Sequence, residues 1–435
     1  MAERTTTTSG LWRILGVGFG LAVIIGSTLG IGILRTPGLV AGELQLPATI
    51  LAMWVSGGVY TMLGAICLAE LGTLAPQAGG YYVYARRAFG DWVGFAVGWS
   101  DWITYCAVLA YVSIGMSELV AELVPVPGGV RPLAIAILVG FVGLQWVGLR
   151  VSKWFQEWTT ALKCVAFLAL IIAALALAGD ARAAAPAAPG SPLSLGGVVS
   201  ALQAIVITYA GWQSGLYFAE EDRDPTRNLP RAMIGGVLAV IVIYVLVNVA
   251  LLVILPVADL AASKLPAADA AQRLVGGRGR DVITVLSIIS LPPLLNAIMM
   301  IGTRILFALG RDRLVWAGTS DVNRGGTPGV ATLATTAVAI VLIATGTFQR
   351  LIAIAAFFLA VNYAICCLAL VVLRRREPGA ARPFRAWGYP WSAAIVVAGA
   401  LAFVAGALVG DTTDALAALG LLVVGLLGYA TIWRR

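Results

Sequence analysis

Few side chains in this sequence are suited to covalent chemistry. None of the 435 residues is histidine, and the five cysteines (Cys67, Cys106, Cys164, Cys366, Cys367) all lie inside apolar runs. The side chain that most often titrates near neutral pH is therefore missing. The cysteine spacing suggests neither a disulfide framework nor a metal site. No nucleophile sits beside a base, and no glycine-rich nucleotide loop is present. No enzyme and no cofactor are expected. What remains is non-covalent chemistry by backbone groups, one lysine and one aspartate. Residues 24–34 read IIGSTLGIGIL, placing Gly26, Ser27, Thr28, Gly30, Ile31 and Gly32 in the middle of an apolar stretch. Glycine costs a helix interior about 1 kcal/mol relative to alanine. In hydrocarbon, freed backbone groups cost more still unless protein or a water-filled cavity satisfies them. One explanation is close helix packing through Gly26-xxx-Gly30. The other is a discontinuous helix whose second half, starting near Gly30, points its first N–H groups at an anion.

A second interruption lies in LQAIVITYAGWQSGLYFAEE, where Tyr209, Ala210, Gly211, Trp212 and Gln213 fall near the middle of another apolar run. The two interrupted spans are five apart and run in opposite directions, which an inverted five-helix repeat would produce, with a site at the midplane. One break offers N–H groups and the other carbonyls, a pair suited to a small zwitterion bearing a carboxylate and an ammonium. The residues named in the two breaks are the candidate ligand contacts. Lys163, in WTTALKCVAFLAL, lies about ten residues into a span, roughly 15 Å deep. Asp101, in GWSDWITY, is similarly deep. Charge at that depth is costly and is read as functional, so both are candidates for ion coupling. A static lysine–carbonyl pairing and a plain hydrogen-bonding acid are the structural alternatives. An indole at Trp212 can cap a bound side chain.

These residues must be positioned by a membrane bundle. The chain is 60% hydrophobic and only 11% charged, whereas soluble domains are about a quarter charged. Twelve candidate spans are expected, near 12–35, 48–73, 92–122, 131–149, 154–178, 195–219, 231–255, 281–309, 328–346, 350–373, 388–409 and 413–433. The net charge of +8 comes from short basic clusters between apolar runs, so no nucleic-acid partner is expected. Nineteen of the 29 Lys and Arg fall on one side of these spans and eight on the other, which puts both termini in the cytoplasm. The organisation expected is a tail at 1–11, one repeat at 12–178, an exterior loop at 179–194, a second repeat at 195–373, a basic cytoplasmic loop at 374–387 and two further spans in 388–435. The exterior segments 179–194 and 256–280 read as loops. No exterior cysteine is available for a disulfide-linked partner.

Longer motifs carry a family resemblance. GSTLGIGIL followed by TPG, AELGTLAPQAGGYYVYARRAFGDWVGFAVGW, TYAGWQSGLYFAEEDRDPTRNLPRA, and GTRILFALGRDR with VNRGGTP resemble the amino acid–polyamine–organocation superfamily of permeases across nearly the whole chain. The resemblance implies an all-α polytopic protein of the inner membrane, with ten core helices in two inverted repeats, two further helices, and alternating access around a central site. It implies an amino acid or close relative as substrate. Gly211–Trp212 is most like exchangers of neutral amino acids, and proton symport stays open. It also implies that Lys163 sits where sodium-coupled cousins hold sodium, linking the fifth span to the first. Glu70, Asn248 and Arg304 match motif positions and read as locking partners. Glu220, Glu221, Asp222 and Asp224 with Arg223, Arg227 and Arg231 read as a cytoplasmic ion-pair network. A polyamine or organic-cation carrier, and a non-transporting amino acid sensor on the same scaffold, are the competing readings.

Overall fold

The computed structural model describes residues 10–177, 194–346, 348–410 and 412–433, and every named element among them is helical. The helices are α1 (Val17–Thr28), α2 (Gly32–Leu44), α3 (Pro47–Leu74), α4 (Tyr81–Phe89), α5 (Asp91–Leu123), α6 (Val130–Val147), α7 (Leu149–Leu177), α8 (Leu195–Thr208), α9 (Pro225–Ile254), α10 (Val257–Ala262), α11 (Pro266–Val275), α12 (Gly279–Arg311), α13 (Gly329–Thr345), α14 (Phe348–Arg376), α15 (Trp391–Gly410) and α16 (Thr412–Gly428). Among the described residues, ten helical segments are long and apolar enough to cross a membrane, and the bent pair α1–α2 makes an eleventh. The apolar helix α13, over the ninth expected span, falls short of that length with 17 residues. The chain is an all-α, multi-pass membrane protein.

Apolar residues form two large buried clusters rather than one. The first runs through α5, α12 and α14 and includes Ile24 and Trp212. The second gathers α2, α8, α11 and parts of α3 and α9, and includes Leu29 and Tyr209. Both interrupted spans therefore change cluster at their breaks, so the breaks lie on the seam between the two. α7 shows how lipid shapes the sequence. Its buried face carries Ser152, Gln156, Thr160 and Lys163, while Trp154, Trp158, Leu162, Val165 and Ile172 stand exposed on the other side. That is the reverse of a soluble amphipathic helix, because here the apolar face meets hydrocarbon and the protein satisfies the polar one.

Two expectations need correction. The segment 256–280 is not a bare loop, since it folds into α10 and α11, which pack beneath α2. Gly38 shows how closely, because a Cβ there would lie 2.6 Å from the Ser263 carbonyl. Alanine favours helix as much as it fills loops, and Pro266 is tolerated in the first turn of α11. The first span extends to Leu44, nine residues past its expected end, because Arg35 is an exposed residue within α2 and not a boundary. The second half of the sixth span is a 3₁₀-helix, Trp212–Phe218. The segment 178–193, which covers nearly all of the expected exterior loop 179–194, lies outside the described residues, as does most of the tail at 1–11.

Candidate functional site

The first break begins where side chains turn on their own helix. Ser27 and Thr28 donate their hydroxyl protons to the Val23 and Ile24 carbonyls, at 2.5 and 2.8 Å, a local bonding that bends helices. The chain leaves the helix at Leu29–Ile31, and α2 resumes at an angle of 48°. The carbonyls freed by the break are met by side chains. Lys163 Nζ donates to the Gly26 carbonyl at 2.8 Å and to the Leu29 carbonyl at 2.5 Å. Its ammonium lies at the C-terminal, negative end of α1. The Tyr244 hydroxyl lies 2.7 Å from the Thr28 carbonyl and 2.9 Å from the Thr208 carbonyl, and its single proton serves one of them at a time.

Lys163 ends a polar stripe. Gln156 Nε2 and Thr160 Oγ1 both donate to the Ala22 carbonyl, at 3.2 and 3.0 Å. Asn296 of α12 donates to Gln156 Oε1 at 2.8 Å and accepts from Gln145 Nε2 at 2.7 Å. The stripe explains Gly26, where a Cβ would lie 2.5 Å from Gln156 Nε2 and 2.6 Å from Thr160 Oγ1. That glycine serves helix packing. Gly30 is different: it is buried, yet a Cβ there would meet only Leu294 Cδ2 at 3.9 Å and the Thr28 carbonyl at 4.0 Å. Packing does not demand its glycine. At Gly32 the added atom would press on Thr208 Cγ2 at 3.2 Å.

The second break touches the first through backbone. Gly211 has φ +119°, and a Cβ on it would lie 2.7 Å from the Ser27 carbonyl carbon and 2.9 Å from the Thr28 nitrogen. Only glycine fits that conformation at that separation. Gln213 is tied on every side: Oε1 accepts from the Gly211 N–H and the Tyr363 hydroxyl, both at 3.1 Å, and Nε2 donates to the Tyr105 hydroxyl at 3.3 Å. Trp212 is packed, its ring 5.2 Å from that of Tyr363 and its tip against Gly64. Ile31, Gly32, Ala210 and Gly211 keep part of their surface accessible. The first N–H groups of α2 have no acceptor within the helix. The arrangement can hold a carboxylate on those amides, beside a break whose Gly26, Thr28 and Leu29 carbonyls are met by Lys163 and Tyr244.

Asp101 stands apart from both breaks. It is wholly buried in α5, with Oδ2 accepting from the Tyr217 hydroxyl at 2.8 Å and Oδ1 accepting from no donor among the described residues. Tyr217 in turn packs edge-on against Tyr105, at 5.4 Å, and Tyr81, at 5.8 Å. Asp101 thus reaches the second break only through the 3₁₀ segment.

At the basic end, backbone pairing and ion pairs tie the bundle together. Leu15 pairs with the strand-like turn after the 3₁₀ segment: its N–H donates to the Glu221 carbonyl at 3.0 Å, and its carbonyl accepts from the Arg223 N–H at 3.1 Å. Arg304 and Glu221, both fully buried, form a two-pronged pair at 2.9 and 3.1 Å. Burial pushes the Glu221 carboxyl up and the Arg304 guanidinium draws it back. Glu220 accepts from the Ala78 N–H at 2.8 Å and from Arg311 at 2.9 Å. The acidic cluster therefore pairs mainly with arginines of α12 and not with its own arginines, among which only Arg227 approaches Asp224, at 3.8 Å. Sequence spacing favours local pairing, but Arg223 points outward while Arg304 is buried in the same core. Glu70 also locks, accepting from Arg374 at 2.8 and 2.5 Å and from the Ala386 N–H at 2.7 Å.

The structure thus joins Gly26, Ser27, Thr28, Gly30, Ile31 and Gly32 with Tyr209–Gln213 and Lys163. Three other buried polar side chains serve structure: Trp102 bonds Thr335, Asn362 bonds Ser100, and Asn296 belongs to the α7 stripe. Sequence reasoning missed Tyr244, Tyr217, Gln156 and Thr160. The polar spacing 152, 156, 160, 163 along one helix face was the available signal for the last two. Among the described residues no three His, Cys, Asp or Glu converge on a metal site.

Comparison with known proteins gives the family. The family model described as amino acid permease matches residues 20–427. The chain is 29% identical over 413 residues to the serine/threonine exchanger SteT of Bacillus subtilis, covering 94% of each chain. It is 27% identical over 389 residues to the human b(0,+)-type amino acid transporter 1, covering 87% of this chain and 79% of that one. The branched-chain amino acid permease BcaP of Bacillus subtilis is 24% identical over 411 residues, covering 89% of this chain and 86% of its own. These relatives are transporters and not enzymes. With a match along nearly its whole length and two broken spans meeting at its centre, the chain belongs to the amino acid permease family.

Proposed function

We propose that the protein exchanges neutral amino acids across the cytoplasmic membrane by alternating access, without sodium. The observation that carries this reading is Lys163, whose ammonium spans the Gly26 and Leu29 carbonyls beside the contact between the two breaks. A coupling cation near it would be repelled: two unit charges 4 Å apart cost about 4 kcal/mol even at an effective dielectric of 20. An ammonium bonded to two carbonyls acts as a fixed strut, which favours exchange. The relative named a serine/threonine exchanger supports both exchange and neutral substrates. The substrate carboxylate would lie on the N–H groups of Gly30, Ile31 and Gly32. The residues flanking the breaks carry no acid to pair with a cationic side chain, which disfavours a polyamine carrier. The reading includes twelve spans, the first ten in two inverted repeats, with both termini cytoplasmic and the arginine-rich end inside. No disulfide-linked partner is required.

A second reading, proton symport, is favoured by Asp101, a buried acid with one oxygen lacking a donor. One experiment separates the readings. Proteoliposomes are assayed for uptake with choline replacing sodium, with and without internal amino acid, and with and without a pH gradient. Exchange predicts uptake that needs internal substrate and ignores sodium. Uptake into empty vesicles driven by a pH gradient, lost in Asp101→Asn, establishes symport instead. Strict sodium dependence overturns the role given to Lys163, and saturable binding without flux makes the protein a sensor.

A further inference from the structure

The basic end of the bundle holds a cleft that no part of the transport reading uses. It has a volume of about 600 Å³ and lies where α6 ends and α7 begins, walled by Trp12, Trp146, Arg150, Asn323 and Arg324. The cleft is built and not a chance gap. Asn323 Oδ1 accepts the N–H groups of Gly325 and Thr327, at 2.9 and 3.0 Å, and the Leu149 N–H reaches the Gly325 carbonyl at 3.0 Å. Gly148, with φ +127°, sits so close that a Cβ would lie 2.8 Å from that carbonyl, and the Trp12 indole covers Gly326. Arg150 and Arg324 are exposed at its rim, and neither has a carboxylate within ion-pair distance among the described residues. No acid lines the cleft.

An apolar track leads away from it. Val151, Trp154, Trp158, Leu162 and Val165 follow one another at helical spacing down α7, each 43% to 68% exposed. Two guanidiniums at the level where the spans begin, an indole on either side and an apolar strip below describe an amphiphile with an anionic head. Guanidinium matches phosphate oxygens in pairs. We infer that this cleft binds the headgroup of an anionic phospholipid, with an acyl chain lying along the exposed face of α7. Trp12 forms one wall, so a bound lipid braces the segment that runs on to Leu15 and its pairing with residues 221–223.

The test is native mass spectrometry of the delipidated, full-length protein, to which phosphatidylglycerol or phosphatidylcholine with the same acyl chains is returned. The native chain should retain phosphatidylglycerol about tenfold more strongly than phosphatidylcholine, as two arginines at a membrane surface allow. Arg150→Gln with Arg324→Gln should abolish the preference, while Lys153→Gln, which lies outside the cleft, should keep it; thermal melting establishes that each variant is folded. Equal retention of both lipids by the native chain, or an unchanged preference in the folded double variant, overturns the inference. So does displacement of phosphatidylglycerol by millimolar inorganic phosphate, which would make the cleft a simple anion site.

Discussion

Adding one methyl group to Gly30 and, separately, to Gly211 should give opposite kinds of damage. At Gly211 the methyl carbon would lie 2.7 Å from the Ser27 carbonyl carbon, 2.8 Å from its oxygen and 2.9 Å from the Thr28 nitrogen, at φ +119°. Backbone cannot swing aside as a flexible side chain can. The unfavourable conformation alone costs about 1–3 kcal/mol, and prising the breaks apart adds to it. Gly211→Ala should therefore lower the melting temperature of the detergent-solubilised protein as well as its affinity. At Gly30 the nearest atoms to the added carbon are 3.9 and 4.0 Å away, and φ is outside the positive range. Replacing such a glycine leaves stability unchanged or raises it by about 0.4–1 kcal/mol. The methyl group does stand where a carboxylate would approach the amides of α2. Losing one hydrogen bond to a charged group costs about 1.5–3 kcal/mol, so affinity should fall roughly 10- to 150-fold. The assay pairs thermal unfolding with competition binding of neutral amino acids. If Gly30→Ala binds as tightly as the native chain, the carboxylate sits elsewhere. If Gly211→Ala melts normally, the two breaks are not in backbone contact.

Three further outcomes follow from the same geometry. Glu221→Gln leaves the Arg304 charge buried without its partner and should cost about 3–5 kcal/mol of stability; a loss under 1 kcal/mol in thermal unfolding would mean the pair is wet. Trp212→Ala removes the ring packed between Gly64 and Tyr363, and should blur discrimination among large and small side chains while glycine affinity is kept; a uniform loss across the amino acid panel argues against that division. Tyr244→Phe deletes the hydroxyl shared by the Thr28 and Thr208 carbonyls and should cost about 1 kcal/mol; unchanged melting and affinity would show that neither carbonyl depends on it.

The sequence made the breaks legible because glycine and small polar residues in mid-span carry a cost that needs a reason. Lys163 was legible on the same grounds. Two glycines that look alike on paper separate only in three dimensions: Gly26 is forced by Gln156 and Thr160, while Gly30 has room. Tyr244 escaped notice because a tyrosine in an apolar span says nothing about where its hydroxyl goes. Spacing alone pairs the acidic run at 220–224 with its neighbouring arginines, because it cannot show that Arg304, some eighty residues on, is buried against Glu221. Short helices such as α10 and α11 are set by packing under α2, which no hydropathy window records.

The Arg304–Glu221 pair has a consequence for how the protein senses its surroundings. Both charges are fully buried, with the guanidinium 5.6 Å from the centre of the Phe218 ring. On the alternating-access reading, with the arginine-rich end inside, opening of that end separates the pair, and each ion takes on water in place of its partner. Opening is then a hydration reaction, since two side chains with no accessible surface come to face solvent. Solutes excluded from protein surfaces favour the less hydrated form. On that reading turnover should slow as osmolyte concentration on the arginine-rich side rises, even at fixed substrate concentration, making the permease a reporter of the water activity on that side.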